Sequence, residues 1–562
     1  MAASRRRLWI VAGVVLVAAL VVILLAPPNA SEARDLGLLS VYSLTRMFAA
    51  YGIALVFAIA YGTTAATNKK AATVLLPLLD VLQSIPILGF FPAVLLFFVT
   101  SFNGSALGLE LSVVVLVFTS MAWNMAFGVY EALTTIPHDL EDAAAEFGLT
   151  GWLRFRRLMF PASVHKLVYN SILSWTNGWF FLVASEVFAA YGTTYTRPGI
   201  GSFIARAGAA GDVGSIGLGL AALVVVVLVV DALVWRPLSG WADTFRIDVP
   251  RGETVRAPRP YERLRWIPRF PGMWHRVSAR LRPVVHAYDR ASIRLERTYA
   301  RHPSVPKNLR RVDLVLFLVV FVLVVGAGLV GLAGLLRSPP PDATQIPNAA
   351  LSSFARLVVA YVVAIAWTLP AAAYVGRSAR ASRVLTPVLE VFASIPATAL
   401  LPLIVGFSLA VTSNGGIGVQ LASVLIALFS MQWYLLFNLI GGVRAIPGDL
   451  TEAARSFGLR GWTYWRRVLL PAVVPSFLTG SITAWGAGWN ALIVSEYLPF
   501  GGTVHEVTGL GALLNHATFV SSDPKLLLLT IFMMIVVVLA MNKLLWHPLA
   551  KRASVRYRVE VG

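Results

Sequence analysis

The chain has 562 residues, of which 57% are hydrophobic and only 13% are charged. Soluble globular proteins carry about 25% charged residues, so this composition excludes an ordinary water-soluble enzyme and indicates a membrane protein. The net charge of +20 would suit a nucleic-acid-binding protein. In a membrane protein, however, the distribution of Lys and Arg among the loops is more informative than the total charge. The chain has no cysteine and therefore no disulfide, thiolate metal site or cysteine nucleophile.

Apolar runs long enough to cross a bilayer, about 20 residues, occur six times in each half of the chain. The predicted spans of the first half are 8–26, 44–66, 72–99, 107–130, 167–190 and 214–236. Those of the second half are 312–336, 352–375, 384–411, 417–440, 476–498 and 525–547. The predicted fold is therefore an all-α polytopic membrane protein with about twelve transmembrane helices, and not a barrel of short alternating strands.

The first apolar run follows three arginines, as the core of a signal peptide would. Its length, and the matching run at 312–336 where no signal peptide could lie, favour a span that stays in the mature chain.

Lys and Arg residues orient the chain, because short cytoplasmic loops carry more of them than outer loops. With a cytoplasmic N-terminus and twelve crossings, all but seven of the 47 lie on the cytoplasmic side, and both termini are cytoplasmic. The seven on the outer side are Arg34, Arg46, Arg197, Arg206, Arg337, Arg356 and Lys525. This distribution accounts for the positive charge, and we predict no nucleic-acid partner.

The predicted segments are a first half (1–240), a basic cytoplasmic linker (241–311) and a second half (312–562). The linker interleaves Lys and Arg with Trp, Tyr and Pro. We expect it to lie against anionic lipid headgroups, with a regulatory or partner-binding role as the alternative.

The two halves are copies of each other at a constant offset of 310 residues. Ser84-Ile85-Pro86 matches Ser394-Ile395-Pro396, and Ser185-Glu186 matches Ser495-Glu496. Because an even number of spans precedes each copy, both have the same orientation. Such parallel repeats imply a pseudo-two-fold axis along the membrane normal, on which a solute path would lie.

A longer cytoplasmic loop lies between the fourth and fifth spans of each half. It reads IPHDLEDAAAEFGLTGWLRFRRLMFPA at 136–162 and IPGDLTEAARSFGLRGWTYWRRVLLPA at 446–472. We predict a short helix that stops at Gly148 or Gly458, and then a second short helix that runs up to Pro161 or Pro471. We call this unit the elbow; its alanine pair would let another surface approach closely.

The elbow sequences resemble the EAA loop of ATP-binding cassette (ABC) importer permeases. The first copy departs from the pattern, with Asp142 in the usual Glu position and Phe160 in a Leu position. PLLDVLQSIP and PVLEVFASIP further resemble the nitrate, sulfonate and taurine branch of that family. The matching residues are Asp142, Ala143, Ala144, Gly148 and Pro161, and then Glu452, Ala453, Ala454, Gly458 and Pro471.

This resemblance implies a type I importer permease whose two elbows dock on two cytoplasmic ATPase subunits. It also implies an extracytoplasmic solute-binding protein, a bacterial-type inner membrane, and a small anion as the solute. No G-x-x-x-x-G-K-[ST] phosphate loop occurs in the chain, so ATP and Mg²⁺ are expected on the partner subunits and no cofactor on this chain.

Polar and aromatic residues of the fifth spans are candidates for the solute pathway or gate, since ionisable groups within a membrane are usually functional. The alternative is that the carboxylates are structural anchors and the tryptophans packing residues. We expect no metal site and no catalytic residue. The candidates are Trp175, Trp179, Glu186, Trp485, Trp489, Asn490 and Glu496.

Two other functions remain open from the residues alone. An ion- or proton-coupled secondary transporter can also be built from six plus six helices, but it would have no use for two matched elbows. A membrane scaffold or sensor would use the basic linker as its working part.

Overall fold

A computed structural model of the chain describes residues 35–191, 197–245, 333–334, 337–412 and 415–556. In these residues the regular structure is helical apart from one β-hairpin, which confirms the predicted all-α polytopic class. Seven of the described helices are long and apolar enough to cross a membrane. The predicted spans 8–26 and 312–336 and most of the basic linker lie outside the described residues.

The first half is built around α4, which packs against α1 and against α7. Small residues such as Ala50, Ala54 and Ala58 let α1 approach its neighbours closely. The helices are α1 (Leu36–Thr67), α2 (Lys69–Ser84), α3 (Ile87–Ser101), α4 (Ala106–Thr134), α5 (His138–Glu146), α6 (Gly151–Arg154), α7 (Phe160–Tyr191), α8 (Ile200–Ala210), α9 (Val213–Val230) and α10 (Arg236–Ala242). π-Helical turns join α6 to α7 (Phe155–Met159) and α9 to α10 (Asp231–Trp235).

The second half repeats this arrangement around α11, α14 and α17. Its elements are α11 (Ile346–Arg377), α12 (Ala379–Ala393), α13 (Leu401–Val411), α14 (Gly415–Arg444), α15 (Gly448–Ser456), α16 (Gly461–Tyr464), α17 (Leu470–Ser495), β1 (Tyr497–Phe500), β2 (Thr503–Glu506), α18 (Leu510–Asn515), α19 (Pro524–Met541) and α20 (His547–Arg556). The strands β1 and β2 pair antiparallel. π-Helical turns lie at Trp465–Leu469, His516–Val520 and Asn542–Trp546.

Each third span was predicted as one continuous helix, 72–99 and 384–411, and this prediction is wrong. In the first half, α2 ends at Ser84 and α3 begins at Ile87, with Ile85 and Pro86 in extended backbone. In the second half, a turn separates α12 from α13 after Pro396. Proline disfavours a helical conformation in the residue before it and cannot donate a backbone hydrogen bond, so the helix breaks there.

The repeat continues through the last span, but with a change of offset. Helices α1 and α11 both have 32 residues and begin 310 positions apart, at Leu36 and Ile346. The last spans, α9 and α19, begin 311 positions apart, at Val213 and Pro524. The preceding helical segments, Ile200–Ala210 and Leu510–Val520, both have 11 residues, so the additional residue lies in the turn before α19. Ser521 and Ser522 stand there before the cap Asp523, where the first half has only Gly211 before the cap Asp212.

The two halves contact each other directly. The backbone N–H of Leu88 in α3 donates to Oδ1 of Asn490 in α17, at 3.0 Å. The turn between β1 and β2 reaches the end of α8, where Gly502 N–H donates to the carbonyl of Ala209 at 2.8 Å. These bonds and the shared apolar core join the repeats into one helical body.

Candidate functional site: the two elbows and the buried carboxylates

Each elbow begins with a nine-residue helix, α5 or α15, that stops as the sequence predicted. Gly148 and Gly458 follow these helices with φ of +64° and +69°, a left-handed conformation that glycine adopts without steric cost. The next amide then turns back, so that Leu149 N–H donates to the carbonyl of Ala144 at 2.9 Å. Leu459 donates to Ala454 at the same distance, which gives the two elbows one backbone geometry.

The second part of each elbow differs from the prediction of a short helix ending at Pro161 or Pro471. Instead α6, a π-helical turn and α7 follow without interruption from Gly151 to Tyr191. Pro161 has no N–H to donate, and the wide turn just before it relieves the usual clash of the proline ring with the preceding turn. The second half has the same arrangement, and Gly461–Ser495 is one continuous helix.

One alanine of each matching pair packs against the rest of the protein. Ala144 and Ala454 are buried against the body of the protein, 5% and 4% exposed. Ala454 lies in the same apolar cluster as Tyr464 and Val443. The second alanine of each pair therefore holds the elbow helix against the membrane domain and does not face outward.

The outward surface of each elbow combines a carboxylate with two apolar side chains. Phe147 and Phe457 are 83% and 82% exposed. We call this surface the elbow tip. It consists of Leu140, Asp142 and Phe147 in the first half, and of Leu450, Glu452 and Phe457 in the second.

Charge distinguishes the two elbows. Helix α5 carries four carboxylates, whereas α15 carries two and an arginine, Arg455. In the first elbow, Glu141 and Arg154 form an ion pair of 2.9 Å. The corresponding positions of the second elbow are Thr451 and Tyr464, so this ion pair has no counterpart there.

Glu186 is fully buried near the C-terminal end of α7, and its carboxylate is hydrogen-bonded on all sides by protein groups. Its carboxylate accepts from Ser43 Oγ at 2.8 Å, from Arg46 Nη1 at 2.7 Å and from Gly201 N–H at 2.8 Å. Arg46 also makes a two-bond contact with Glu110, at 2.6 and 2.8 Å. This network fastens the start of α8 to α1.

Glu496 has the same environment in the second half. It accepts from Ser353 Oγ at 2.6 Å, from Arg356 Nη1 at 2.5 Å and from Gly511 N–H at 2.7 Å. Arg356 donates to Gln420 at the position that Glu110 has in the first half. These contacts suit an anchoring role for both glutamates, and their role in a gate stays a prediction.

The remaining gate candidates lie in the helix core. The tryptophans of the fifth spans are all buried, and Trp175 packs edge-on against Tyr51 and Trp235. Trp485 contacts Tyr361 and Trp546 in the equivalent positions. Asn490, as described above, accepts the backbone bond that joins α3 to α17. Among the described residues, no three His, Asp or Glu side chains are placed to hold a metal ion.

Comparison with known proteins decides the family. Residues 54–235 and 364–545 each match the family described as binding-protein-dependent transport system inner membrane component. The chain belongs to this family. The permease therefore carries two family domains fused in one polypeptide, and each matched region includes one elbow.

The permease is similar to permease proteins named for nitrate import and for taurine and bicarbonate transport. It is 31% identical to the nitrate import permease protein NrtB of Leptolyngbya laminosa over 150 residues, which cover 27% of the permease and 51% of NrtB. It is 28% identical to the taurine transport system permease protein TauC of Escherichia coli K12 over 159 residues, 28% of the permease and 54% of TauC. It is 33% identical to the bicarbonate transport system permease protein CmpB of Synechococcus elongatus over 92 residues, 16% of the permease and 31% of CmpB. The matches thus cover about half of each relative's length or less.

Sequence reasoning missed two features of the permease. The exposed phenylalanines, Phe147 and Phe457, stand 310 positions apart, and this recurrence was the available signal. The partners of the buried glutamates were visible only as matched arginines, Arg46 and Arg356, because 140 residues separate each arginine from its glutamate.

Proposed function

We propose that this permease forms the translocation path of an ATP-driven importer for a small anion. Its two elbow tips would dock on two separate ATPase subunits, which bind the ATP and Mg²⁺. Two of the relatives are named for the anions nitrate and bicarbonate, and the third is named for taurine, which carries a sulfonate group. These names support a substrate of the small-anion class. The positive-inside distribution of Lys and Arg supports cytoplasmic elbows and cytoplasmic termini.

The observation that carries this proposal is the matched exposure of Phe147 and Phe457. A phenylalanine that is more than four-fifths exposed loses the stabilisation that burial of its ring would provide, about 1.5–3 kcal/mol. Aromatic side chains surrounded by polar groups are typical anchors of protein–protein interfaces. Two identical anchors at the ends of equivalent helices suit two copies, or two relatives, of one partner.

A continuous helix connects each elbow to the membrane domain and could transmit movement of the elbow tip. Each elbow helix joins a continuous helical path that begins at Gly151 or Gly461 and ends beside the buried glutamate. Movement of an elbow would therefore move the outer end of the fifth span. Closing and opening two ATPases would then alternate access between the two sides. An extracytoplasmic solute-binding protein would deliver the anion, and no nucleic acid takes part.

The test uses Phe147→Ala and Phe457→Ala, separately and together. Because both rings are in solvent, we expect normal folding but a loss of ATP-driven anion uptake in proteoliposomes containing the permease and its ATPase. The double variant should lose at least tenfold, since truncated interface anchors typically cost 2 kcal/mol or more. Phe97→Ala is the matched control, because Phe97 is also largely exposed but lies on α3.

Two results would contradict the proposal. Unchanged uptake in the double variant would remove the elbow tips from the coupling path. Uphill transport by the permease alone, on an ion gradient and without any ATPase, would identify the secondary transporter that the sequence left open.

A further inference from the structure

A cavity of about 370 Å³ lies in the second elbow, between the end of α11, the side of α15 and the start of α16. Its buried side is formed by Tyr464. The cavity opens beside the elbow tip and not on it, because neither Glu452 nor Phe457 belongs to the lining. The lining residues are Arg377, Thr451, Arg455, Leu459, Arg460, Gly461, Tyr464 and Trp465.

The lining contains three guanidinium groups and no carboxylate. The Arg377 guanidinium lies over the ring of Tyr464, with Cζ 4.8 Å from the ring centroid. Within the part of the chain that the structure describes, none of Arg377, Arg455 and Arg460 forms an ion pair with an acidic side chain. Three cations around one cavity repel one another, and an anion between them would relieve this repulsion.

The first elbow has none of this charge. The positions equivalent to the three arginines are Thr67, Ala145 and Thr150. The position of Thr451 is taken there by Glu141, which pairs with Arg154 at 2.9 Å. The cationic cavity is therefore a property of the second elbow and not of the elbow fold.

We propose that this cavity binds a phosphate-type oxyanion, supplied either as free phosphate or as a phospholipid headgroup. Guanidinium groups bind phosphate oxygens through paired, charge-assisted hydrogen bonds, and the Thr451 and Tyr464 hydroxyls offer further donors. The bound anion would link Arg377, at the end of α11, to Arg455 on α15. Occupancy would thus tie the second elbow to the membrane domain and leave the first elbow unaffected.

The first measurement is binding of radiolabelled inorganic phosphate to the full chain in detergent, by equilibrium dialysis. We expect one site per chain. Thr451→Glu, which places the carboxylate of the first elbow in the cavity, should weaken binding at least tenfold, as should Arg455→Gln with Arg460→Gln. Arg380→Gln should leave binding unchanged, because Arg380 is exposed on α12 and does not line the cavity. Unchanged melting temperatures would show that all the variants fold.

The second measurement distinguishes the two sources of phosphate. The chain is placed in nanodiscs of phosphatidylcholine with or without phosphatidylglycerol, and bound lipid is counted by native mass spectrometry. One retained phosphatidylglycerol that Thr451→Glu removes would support a headgroup ligand. Phosphate binding that phosphatidylglycerol does not compete with would support the free ion.

Two results would overturn the proposal. The first is phosphate and lipid binding that the cavity variants do not change. The second is the absence of both, accompanied by loss of ATPase association in the arginine variants, which would assign the arginines to carboxylates of the partner protein. Neither result bears on the phenylalanine test, so this proposal and the proposed function can fail separately.

Discussion

The first and second elbows share a backbone and differ in surface charge. In both, a glycine with positive φ ends the first helix, and a buried alanine holds that helix against the membrane domain. The apolar residues of the elbow tips also match, but the outward charges differ: α5 presents four carboxylates, whereas α15 presents two carboxylates and an arginine beside a cationic cavity. The comparison teaches that the positions that determine the backbone and the exposed phenylalanines are the same in both copies, while the charged positions on the surface differ and make separate interactions.

The largest difference between the halves should come from the buried arginines. Arg46→Met leaves the buried Glu186 without a cation and leaves Glu110 with only Arg197, at 3.9 Å, whereas Arg356→Met affects only Glu496. Breaking a buried ion pair costs about 3–5 kcal/mol, and we expect Arg46→Met to be the more destabilising of the two. Thermal unfolding in detergent measures this order.

The matched control for these arginines is Glu110→Gln, which copies Gln420 of the second half. It should cost less than about 1 kcal/mol, because the half-exposed Glu110 is the outer partner of Arg46. A loss as large as that of Arg46→Met would show that the two networks are not equivalent.

The next effect concerns the glycines beside the buried glutamates. A Cβ at Gly199 or Gly509 would overlap the carboxylate of Glu186 or Glu496. We expect Gly199→Ala and Gly509→Ala to lower stability by about 1–3 kcal/mol each, and by similar amounts, because both carboxylates are held in place. Gly52→Ala, in an open position on α1, should be neutral or slightly stabilising. Unequal losses of stability in the same unfolding assay would show that the two networks are not equally strong.

A smaller and equal effect is expected at the two elbow glycines. Gly148→Ala and Gly458→Ala force a side chain into left-handed backbone, at a cost of about 1–2 kcal/mol. Hydrogen exchange should therefore accelerate at the amides of Leu149 and Leu459, which close the two turns. If only one elbow responded, their common geometry would not extend to their stability.

The smallest effect depends on pH. Asp212 caps α9, and the backbone N–H of Ser215 donates to its carboxylate at 3.0 Å, which lowers the pKa of Asp212 below its ordinary value. The cap therefore contributes about 1 kcal/mol to stability at pH values above the ordinary pKa of an aspartate. This contribution is lost as the pH falls through the lowered pKa of Asp212. Asp212→Ala should therefore lower the melting temperature at pH 7 and make less difference at pH 3. Asp523→Ala tests the equivalent cap of α19.

Much of the elbow could be predicted from sequence, because its determinants are local. The glycines that end α5 and α15 act within one turn of chain, and the repeat made each signal visible twice. The outward phenylalanines were not predicted, because hydrophobicity alone does not tell which apolar residue of a short helix stays exposed.

The broken third span could not be predicted, because its stabilising contact is distant. Pro77 lies inside α2 without ending it, so a proline alone does not locate a break. Just after Pro86, the backbone N–H of Leu88 donates to Oδ1 of Asn490, which lies 402 positions further along the chain. The buried glutamates have the same limitation, since Arg46 and Glu186 meet only after folding.

The residue added in the turn before α19 has a consequence for how a duplicated chain diverges in length. One residue added to a regular helix would rotate every later side chain by about 100°. Here the added residue lies in the turn between Val520 and the cap Asp523, outside the helices, and Trp546 still contacts Tyr361 as Trp235 contacts Tyr51. A length change between copies is thereby confined to a single turn, and the last crossing of each copy keeps its neighbours.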